Sequence, residues 1–236
     1  MNSVSIIIPV FNEEDTISEL IKRASQADIL GLSKEIIIVD DASTDRSFFR
    51  VQELARDTFL KIIRHSENQG KGAALHSGFA KASGDIILVQ DADLEYSPSD
   101  YKILLEPLLK GEADLVYGSR FLAKKRSKGY PTHYIANRIF TTLSNLLSGQ
   151  RLSDAETCYK VFKKSVLNSI SLKENRFGFD LEFTARVSRV SGIRIVEVPV
   201  SYNPRSYAEG KKIGIKDGFR ALYCIFRYNL FGKLRK

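Results

Sequence analysis

The sequence predicts an α/β protein: a mainly parallel, Rossmann-like sheet flanked by helices, with a C-terminal extension. Three observations lead there. Through the first half, short apolar runs alternate with longer amphipathic segments. The runs are apolar throughout rather than at every second position, as strands buried on both faces are. Polar clusters follow each run, where open parallel sheets bind their ligands.

Taken in order, strands are expected at Val4–Pro9, Glu35–Asp40, Leu60–His65, Asp85–Gln90 and Asp114–Tyr117. Helices are expected between them at Glu13–Ala27, Arg46–Arg56, Gly72–Ala82 and Pro98–Leu109, the second capped by Asp45 or a neighbour. The rhythm changes at Gly118. A basic loop, Phe121 to Tyr130, precedes a helix at Pro131–Leu147 with proline at its start. A helix at Asp180–Val190, a strand at Ile193–Val198, an extended Ser201–Pro204 and a terminal helix at Ile213–Phe231 complete the chain. No repeat, low-complexity tract or linker interrupts it, so residues 1–236 read as one domain.

Composition bounds the function. A chain of 236 residues, 43% hydrophobic and 27% charged, is long enough to bury a proper core. No run reaches the roughly 18 apolar residues that a membrane-spanning helix needs. The N-terminus lacks a basic region before its strand-length run Val4 to Val10, so no secretory signal is expected. Cys158 and Cys224 have neither metal-ligand nor disulfide spacing, which indicates a reducing compartment, the cytoplasm. The net charge of +8 is concentrated: seven Lys/Arg and no acid lie between Ser119 and Ser153, and eight Lys/Arg against Asp217 between Lys211 and Lys236. The remainder carries 21 basic and 27 acidic residues. Such segregation points to an anionic partner on one face, the alternative being a solvated basic surface.

The most informative motif is Gln90-Asp91-Ala92-Asp93-Leu94-Glu95. If this stretch is extended, acids at i, i+2 and i+4 point to one side and converge. Converging carboxylates repel unless a cation lies between them, and a hard divalent ion completed by substrate phosphates answers that need. The alternative is a solvated Asp-rich turn. Four other strand ends carry similar clusters: Pro9 to Glu13, Asp40 to Ser43, Asn68 to Gly72, and Gly118 to Arg120. The like-charged neighbours Asp40 and Asp41 are better explained if one hydrogen-bonds a ribose or base. Gly70-Lys71-Gly72 lacks the spacing of a phosphate-binding P-loop; its glycines let backbone approach a nucleotide while Lys71 faces phosphate or carboxylate. No GxGxxG follows the first strand, which argues against a dinucleotide oxidoreductase.

The runs IIIPVFNEE (Ile6 to Glu14), VDDASTD (Val39 to Asp45), NQGKGAAL (Asn68 to Leu75), QDADLE (Gln90 to Glu95) and GSRF (Gly118 to Phe121) resemble the family 2 glycosyltransferases of GT-A fold. In the second half SDAETCYKVF (Ser153 to Phe162), FGFDLEF (Phe177 to Phe183), EVPVSYNPR (Glu197 to Arg205) and EGKKI (Glu209 to Ile213) resemble the branch containing dolichyl-phosphate mannose synthase and bacterial polyprenyl-phosphate relatives. The resemblance implies an inverting, metal-dependent transfer of a sugar from a UDP- or GDP-linked donor to polyprenyl phosphate. Residues 1–118 would form the nucleotide-sugar half and 119–236 the acceptor-side half. Pro9, Phe11, Glu13 and Asp41 would hold the nucleoside, and Asp91 and Asp93 would bind Mg2+ or Mn2+. Glu95 would be the third ligand, where relatives often carry Gln. Arg205 and Lys211 would lie over the diphosphate. Arg120, with Arg138 and Thr142, would grip the acceptor phosphate. Asp154 belongs to the acceptor-side motif, and Asp180 lies where hydroxyl-using relatives place a base; a first-turn or N-cap role in its helix is the alternative for Asp180.

Departure of the nucleotide builds negative charge that a metal and Arg/Lys stabilise. A hydroxyl acceptor needs a carboxylate to take its proton, whereas a phosphate monoester is already anionic. Competing readings are a saccharide hydroxyl acceptor in cell-surface polysaccharide assembly and a nucleotide-binding regulatory module without turnover. A nucleic-acid binder would explain the charge but not five strand-end motifs. The cationic, aromatic terminal helix is expected either to rest on an anionic membrane surface or to pack Phe219, Leu222 and Phe226 on the core. Since many lipid-phosphate relatives carry transmembrane helices beyond this point, any membrane attachment is expected to be peripheral or through a partner.

Overall fold

The structure is a computed structural model that describes residues 1–55, 60–122, 131–206 and 214–231. Its first half alternates as the apolar runs predict: β1 (Ser3–Val10), α1 (Ile17–Gln26), β2 (Ser33–Asp40), α2 (Ser47–Leu54), β3 (Leu60–Arg64), α3 (Lys71–Lys81), β4 (Ile86–Val89), a 3-10 turn (Pro98–Asp100), α4 (Tyr101–Leu109) and β5 (Leu115–Ser119). The second half adds α5 (Pro131–Ser148), β6 (Lys160–Lys163), α6 (Lys164–Asn168), α7 (Phe179–Val187), β7 (Ile195–Pro199) and α8 (Ile215–Leu230).

Among the described residues, seven strands form one sheet in the order β3-β2-β1-β4-β6-β5-β7. Only β6 runs antiparallel to its neighbours, β4 and β5. Sequence reading passed over β6 and α6 because Lys-Val-Phe-Lys offers only two apolar residues and ends in lysines. Pairing on both sides supplies what the run itself lacks. Since β6 and β7 of the second half lie in register with strands of the first, the two halves share a single sheet.

The core lies on both faces of that sheet. Ile6, Ile7, Ile8, Ile36 to Val39 and Ile86 to Val89 are all buried. Helix α1 presents Ile17, Leu20, Ile21 and Ala24, the i, i+3, i+4, i+7 stripe of an amphipathic helix. Helix α7 is buried along its whole length. Helix α8 turns Ala221, Cys224, Ile225 and Tyr228 inward, leaving Phe219 and Phe226 on the exposed side. The expectation that these two phenylalanines pack on the core is therefore wrong; the i, i+3, i+4, i+7 face starting at Ala221 takes that place. Both cysteines are buried and free. Among the described residues no helix is long and apolar enough to cross a membrane.

Candidate active site

The turns beyond β1, β2 and β4 lie together and are tied by side chains. After β1, Asn12 adopts a left-handed conformation (φ 52°). Its amide donates to Ser43 Oγ at 3.0 Å, and its side-chain carbonyl accepts from the Thr44 amide at 2.8 Å. The Glu13 amide donates to Ser47 Oγ at 2.7 Å. The N-cap position of α2 is Arg46, without a side-chain cap; Asp45, expected to cap, stands one residue earlier and accepts the Ser47 amide at 2.9 Å. Pro9 and Phe11 are half-buried on this edge.

Asp40 and Asp41 point to different partners, which relieves their repulsion. Asp40 is fully buried, 3.3 Å from Nε of Arg64, its register neighbour on β3, and accepts the Ser43 amide at 3.2 Å. Its Oδ1 has no partner among the described residues. Asp41 accepts the amides of Gln69 and Gly70 at 2.9 and 2.7 Å and lies 2.7 Å from His65 Nδ1. His65 Nε2 reaches Ser77 Oγ at 2.8 Å. The resemblance gives Asp41 to the nucleoside, but here its oxygens shape the turn into α3. The unpaired oxygen belongs to Asp40.

That turn also corrects the reading of its glycines. Gly70 has φ 103°, and a Cβ on it would lie 2.4 Å from the Asn175 carbonyl oxygen; one on Gly72 would lie 2.0 Å from that of Glu174. The close approach they permit is to the chain's own 174–176 segment. Lys71 places Nζ 2.8 and 2.9 Å from the two oxygens of Asp91, so it faces a carboxylate. Burial disfavours the Lys71 charge, but Asp91 outweighs it and raises the ammonium above its ordinary range.

The acidic motif is a turn with Leu94 left-handed (φ 60°), so strand alternation does not bring its acids together. Asp93 Oδ1 accepts the Glu95 amide at 3.0 Å, and Oδ2 lies 3.4 Å from Arg205. Burial, then the charges of Asp91 and Glu95, push the Asp93 carboxyl up to about 7. Glu95 turns to the C-terminal segment, accepting Tyr202 Oη at 2.9 Å and the Arg205 amide at 2.7 Å. Among the described residues no three acid, His or Cys side chains are gathered to hold a metal. Glu95 therefore does not join Asp91 and Asp93 as a third ligand, because its oxygens are taken by Tyr202 and Arg205. Asp91 and Asp93 by themselves fit a divalent cation: two hard oxygen donors, one under like-charge repulsion.

Arg205 spans from Glu13 after β1 to Asp93 after β4. Its Nη1 and Nη2 donate to Glu13 at 2.8 and 3.1 Å, and its buried Nε has no partner among the described residues. Lys211 lies outside the described residues, as does most of the 121–130 basic loop.

On the acceptor side the expected residues are more committed than their chemistry suggests. Arg120 holds Asp154 through Nε and Nη2, both at 2.7 Å, and its amide donates to the same carboxylate at 3.2 Å. Asn137 adds a bond at 3.1 Å. Burial raises the Asp154 pKa, but Arg120 overrides it, leaving the carboxyl below its usual range. Asp154 thus positions Arg120 and is a poor proton acceptor. Asp180 lies in the first turn of α7, 2.5 Å from Nζ of the fully buried Lys160, which also donates to the Thr157 carbonyl. Arg138 and Thr142 share an exposed face of α5; the Thr142 hydroxyl bonds the Arg138 carbonyl at 2.7 Å, and Arg138 reaches the Ser153 carbonyl at 3.4 Å.

Sequence reading missed Lys160, whose signal was a lysine inside the apolar run Tyr159 to Phe162. It also missed Tyr202, His65 and Glu156. Half-buried Glu156 is pushed up to about 7, chiefly by burial, against the pull of Arg120 and with the push of Asp180 and Asp154. A separate hollow of about 550 Å³, lined by residues including Glu14, Ser18, Lys22 and Arg50, lies against α1 and α2 and contains none of the acidic-turn residues.

With the fold and cleft in view, comparison places the chain. The sequence profile described as Glycosyl transferase family 2 matches residues 5–171. This protein belongs to that family. Among similar proteins, the dolichol-phosphate mannosyltransferase of Pyrococcus furiosus is 31% identical over 95% of this chain and 63% of its own length. The dodecaprenyl-phosphate galacturonate synthase of Rhizobium johnstonii is 29% identical over 97% of this chain and 67% of its own. The chain therefore spans about two thirds of these relatives. In fold it resembles glucosyl-3-phosphoglycerate synthase of Mycobacterium tuberculosis, solved with Mn2+, uridine diphosphate and phosphoglyceric acid: TM-score 0.75 and 21% identity, covering 97% of this chain and 79% of that one. The fold is GT-A.

Proposed function

We propose that this chain is an inverting, divalent-metal-dependent glycosyltransferase that moves one sugar from a UDP- or GDP-linked donor to a polyprenyl phosphate. The observation that carries the reading is Arg205, bridging Glu13 and Asp93 with Nε left over, beside the Asp91–Lys71 pair at the end of β4. Two cations and three carboxylates line one cleft, which with a divalent ion on the acids would suit a diphosphate leaving group. The relatives' names support the lipid-phosphate acceptor, and the uridine diphosphate and Mn2+ of the structural neighbour are consistent with the donor and ion.

Asp91 and Asp93 would hold Mg2+ or Mn2+. When bound, the ion would stabilise charge growing on the departing diphosphate. Arg205 and Lys71 supply further positive charge, pre-positioned by Glu13 and Asp91. Asp40, with its unpaired oxygen, is the group assigned to a nucleoside hydroxyl or N–H. Attack from the face opposite the leaving group inverts the anomeric carbon. Asp180, the position of a base in hydroxyl-using relatives, and Asp154 of the acceptor-side motif are both tied to cations, which favours an acceptor that brings its own negative charge. Residues 1–118 would serve the donor and 119–236 the acceptor within one domain.

Helices α5 and α8 pack together; α5 exposes Ile135, Ile139 and Leu146, and α8 exposes Phe219, Phe226 and Leu230. Arg138, Arg220 and Arg227 lie on the same helices, whose sole acid is Asp217. Apolar residues among cations match the surface of an anionic membrane, where a polyprenyl chain resides.

Melting the protein with UDP or GDP, each with and without Mn2+, tests the donor site: one diphosphate is expected to raise Tm more with metal than without. Sugar transfer to undecaprenyl phosphate, followed by product anomer analysis, tests the rest. Stabilisation by neither diphosphate, or transfer only to a saccharide hydroxyl, would sink the proposal.

A further inference from the structure

We infer that Glu95 is a positioning residue, which fixes the 201–205 segment so that the Arg205 guanidinium stands between Glu13 and Asp93. The assignment rests on the donor-site reading above, in which Arg205 meets the diphosphate. It gives the last acid of the turn work other than holding the ion.

Glu95 is bonded to three residues of that segment. Its Oε2 accepts the Tyr202 hydroxyl at 2.9 Å, its Oε1 the Arg205 amide at 2.7 Å, and its backbone carbonyl the Asn203 amide at 2.8 Å. Tyr96, next in the chain, forms an isolated antiparallel bridge with Tyr202, their ring centroids 5.1 Å apart. Tyr96 is itself buried, and its hydroxyl accepts the Cys158 amide at 3.2 Å, so the base of this contact belongs to the core. The near end of the segment is held separately. There the Val200 amide donates to the Ser119 carbonyl at 3.1 Å and the Ser201 amide to Asp100 at 2.7 Å. Arg205 then reaches Glu13 at 2.8 and 3.1 Å and Asp93 at 3.4 Å. The Arg120 guanidinium lies 5.2 Å from the Tyr202 ring, so the same segment touches the acceptor-side arginine.

An arginine head group sits at the end of a long, rotatable stem, so its placement depends on how firmly its backbone is held. Bonds from one carboxylate to residues 202 and 205 stop either from shifting alone. To serve the ion, Glu95 would have to release one of them, and the Arg205 amide or the Tyr202 hydroxyl would lose a charged acceptor. Asp93 has no such conflict. Its Oδ1 is oriented by the Glu95 backbone amide at 3.0 Å, a bond that no change of the Glu95 side chain removes. The turn thus divides its acids: Asp91 and Asp93 are available to an ion, and Glu95 serves the segment that carries Arg205.

The test is a double-mutant cycle on nucleotide affinity. Calorimetric Kd values for UDP and GDP with Mn2+ are taken for wild type, E95A, E95Q, R205A and E95A/R205A. For whichever diphosphate the wild type binds, E95A should bind roughly tenfold more weakly, the scale of losing a hydrogen bond to a charged group. E95Q should lose roughly threefold, since its amide oxygen can keep one of the two bonds. R205A should lose at least as much as E95A. The double variant should be no weaker than R205A, because Glu95 acts through Arg205. An E95A loss repeated in full on R205A would make Glu95 an ion ligand or a general prop, and overturns the assignment. So does an E95A protein that binds as tightly as the wild type. If E95A does not fold, E95Q and E95Q/R205A complete the same cycle. A wild type that binds neither diphosphate would bring down the donor site itself, and this role with it. One that binds a diphosphate while the cycle is additive removes only the role of Glu95.

Discussion

Asp93 and Asp180 are both carboxylates in the cleft, yet their partners give them different work. Asp93 is crowded by Asp91 and Glu95 and steadied mainly by Arg205. Removing it relieves repulsion as much as it removes a bond. D93A is therefore expected to keep its Tm within a few degrees while transfer falls at least 100-fold, roughly what losing one transition-state charge contact does. Near-normal turnover in D93A would end the argument for a metal at this turn. Asp180 is the partner of Lys160, a lysine with no exposed surface. D180N leaves that ammonium buried opposite an amide, a loss of about 3–5 kcal/mol in known buried pairs. The urea midpoint should drop along with activity. A D180N protein of normal stability but no activity would instead restore the general-base reading of Asp180.

At the scale of elements, the opposite edge of the sheet is fastened by one residue of β2. Glu35 accepts from Lys61 of β3 at 2.5 Å, from the Ser83 amide at 2.6 Å, and from the Ser5 hydroxyl of β1. Burial works against its charge, but these bonds bring the carboxyl down to about 2 from an ordinary 4.5. A lowered pKa means stability present above about 4.5 and lost as pH falls toward 2. E35Q should be less stable than wild type by about 1–2 kcal/mol at pH 7, after allowing for the solvent that reaches the pair. That difference should shrink below pH 4.5, and denaturant melts at pH 3 and 7 read it directly. A deficit that does not change with pH would assign the loss to packing. Glu174 fastens a second set of elements, accepting Arg220 and Tyr228 of α8 at 2.8 Å each while its carbonyl packs on Gly72. Helix α8 is thereby braced against the start of α3, where Lys71 sits.

Over the whole molecule, most of the exposed large apolar side chains among the described residues lie on α5 and α8, whose sole acid is Asp217. Phe219 is 70% exposed and Leu146 77%. Both are too large to be left in water without effect. A double variant, F219S/F226S, should bind phosphatidylglycerol vesicles roughly a hundredfold more weakly, since each phenylalanine contributes of order 1.5 kcal/mol on burial. Its Tm should hardly move, because neither ring is in the core. Binding of the wild type should also weaken as salt rises from 0.05 to 0.5 M, as the arginines are screened. Equal vesicle binding by wild type and variant, measured by co-sedimentation, would separate this face from any membrane role.

The sequence by itself determined the α/β alternation, the places of β1 to β5 to within two residues at each end, and the edge on which the polar residues gather. Those follow from local periodicity, which needs no knowledge of distant residues. It also determined which residue types stand at the strand ends, and so the chemistry available there. Only the tertiary structure decided which of them are paired. Asp41 turns to Gly70, Glu95 to Tyr202, Asp154 to Arg120 and Asp180 to Lys160, across separations of 20 to 107 residues. The same is true of β6, whose four residues form a strand only because β4 and β5 offer hydrogen bonds on both sides. A carboxylate's role depends on what stands opposite it, and the chain reveals that only once folded.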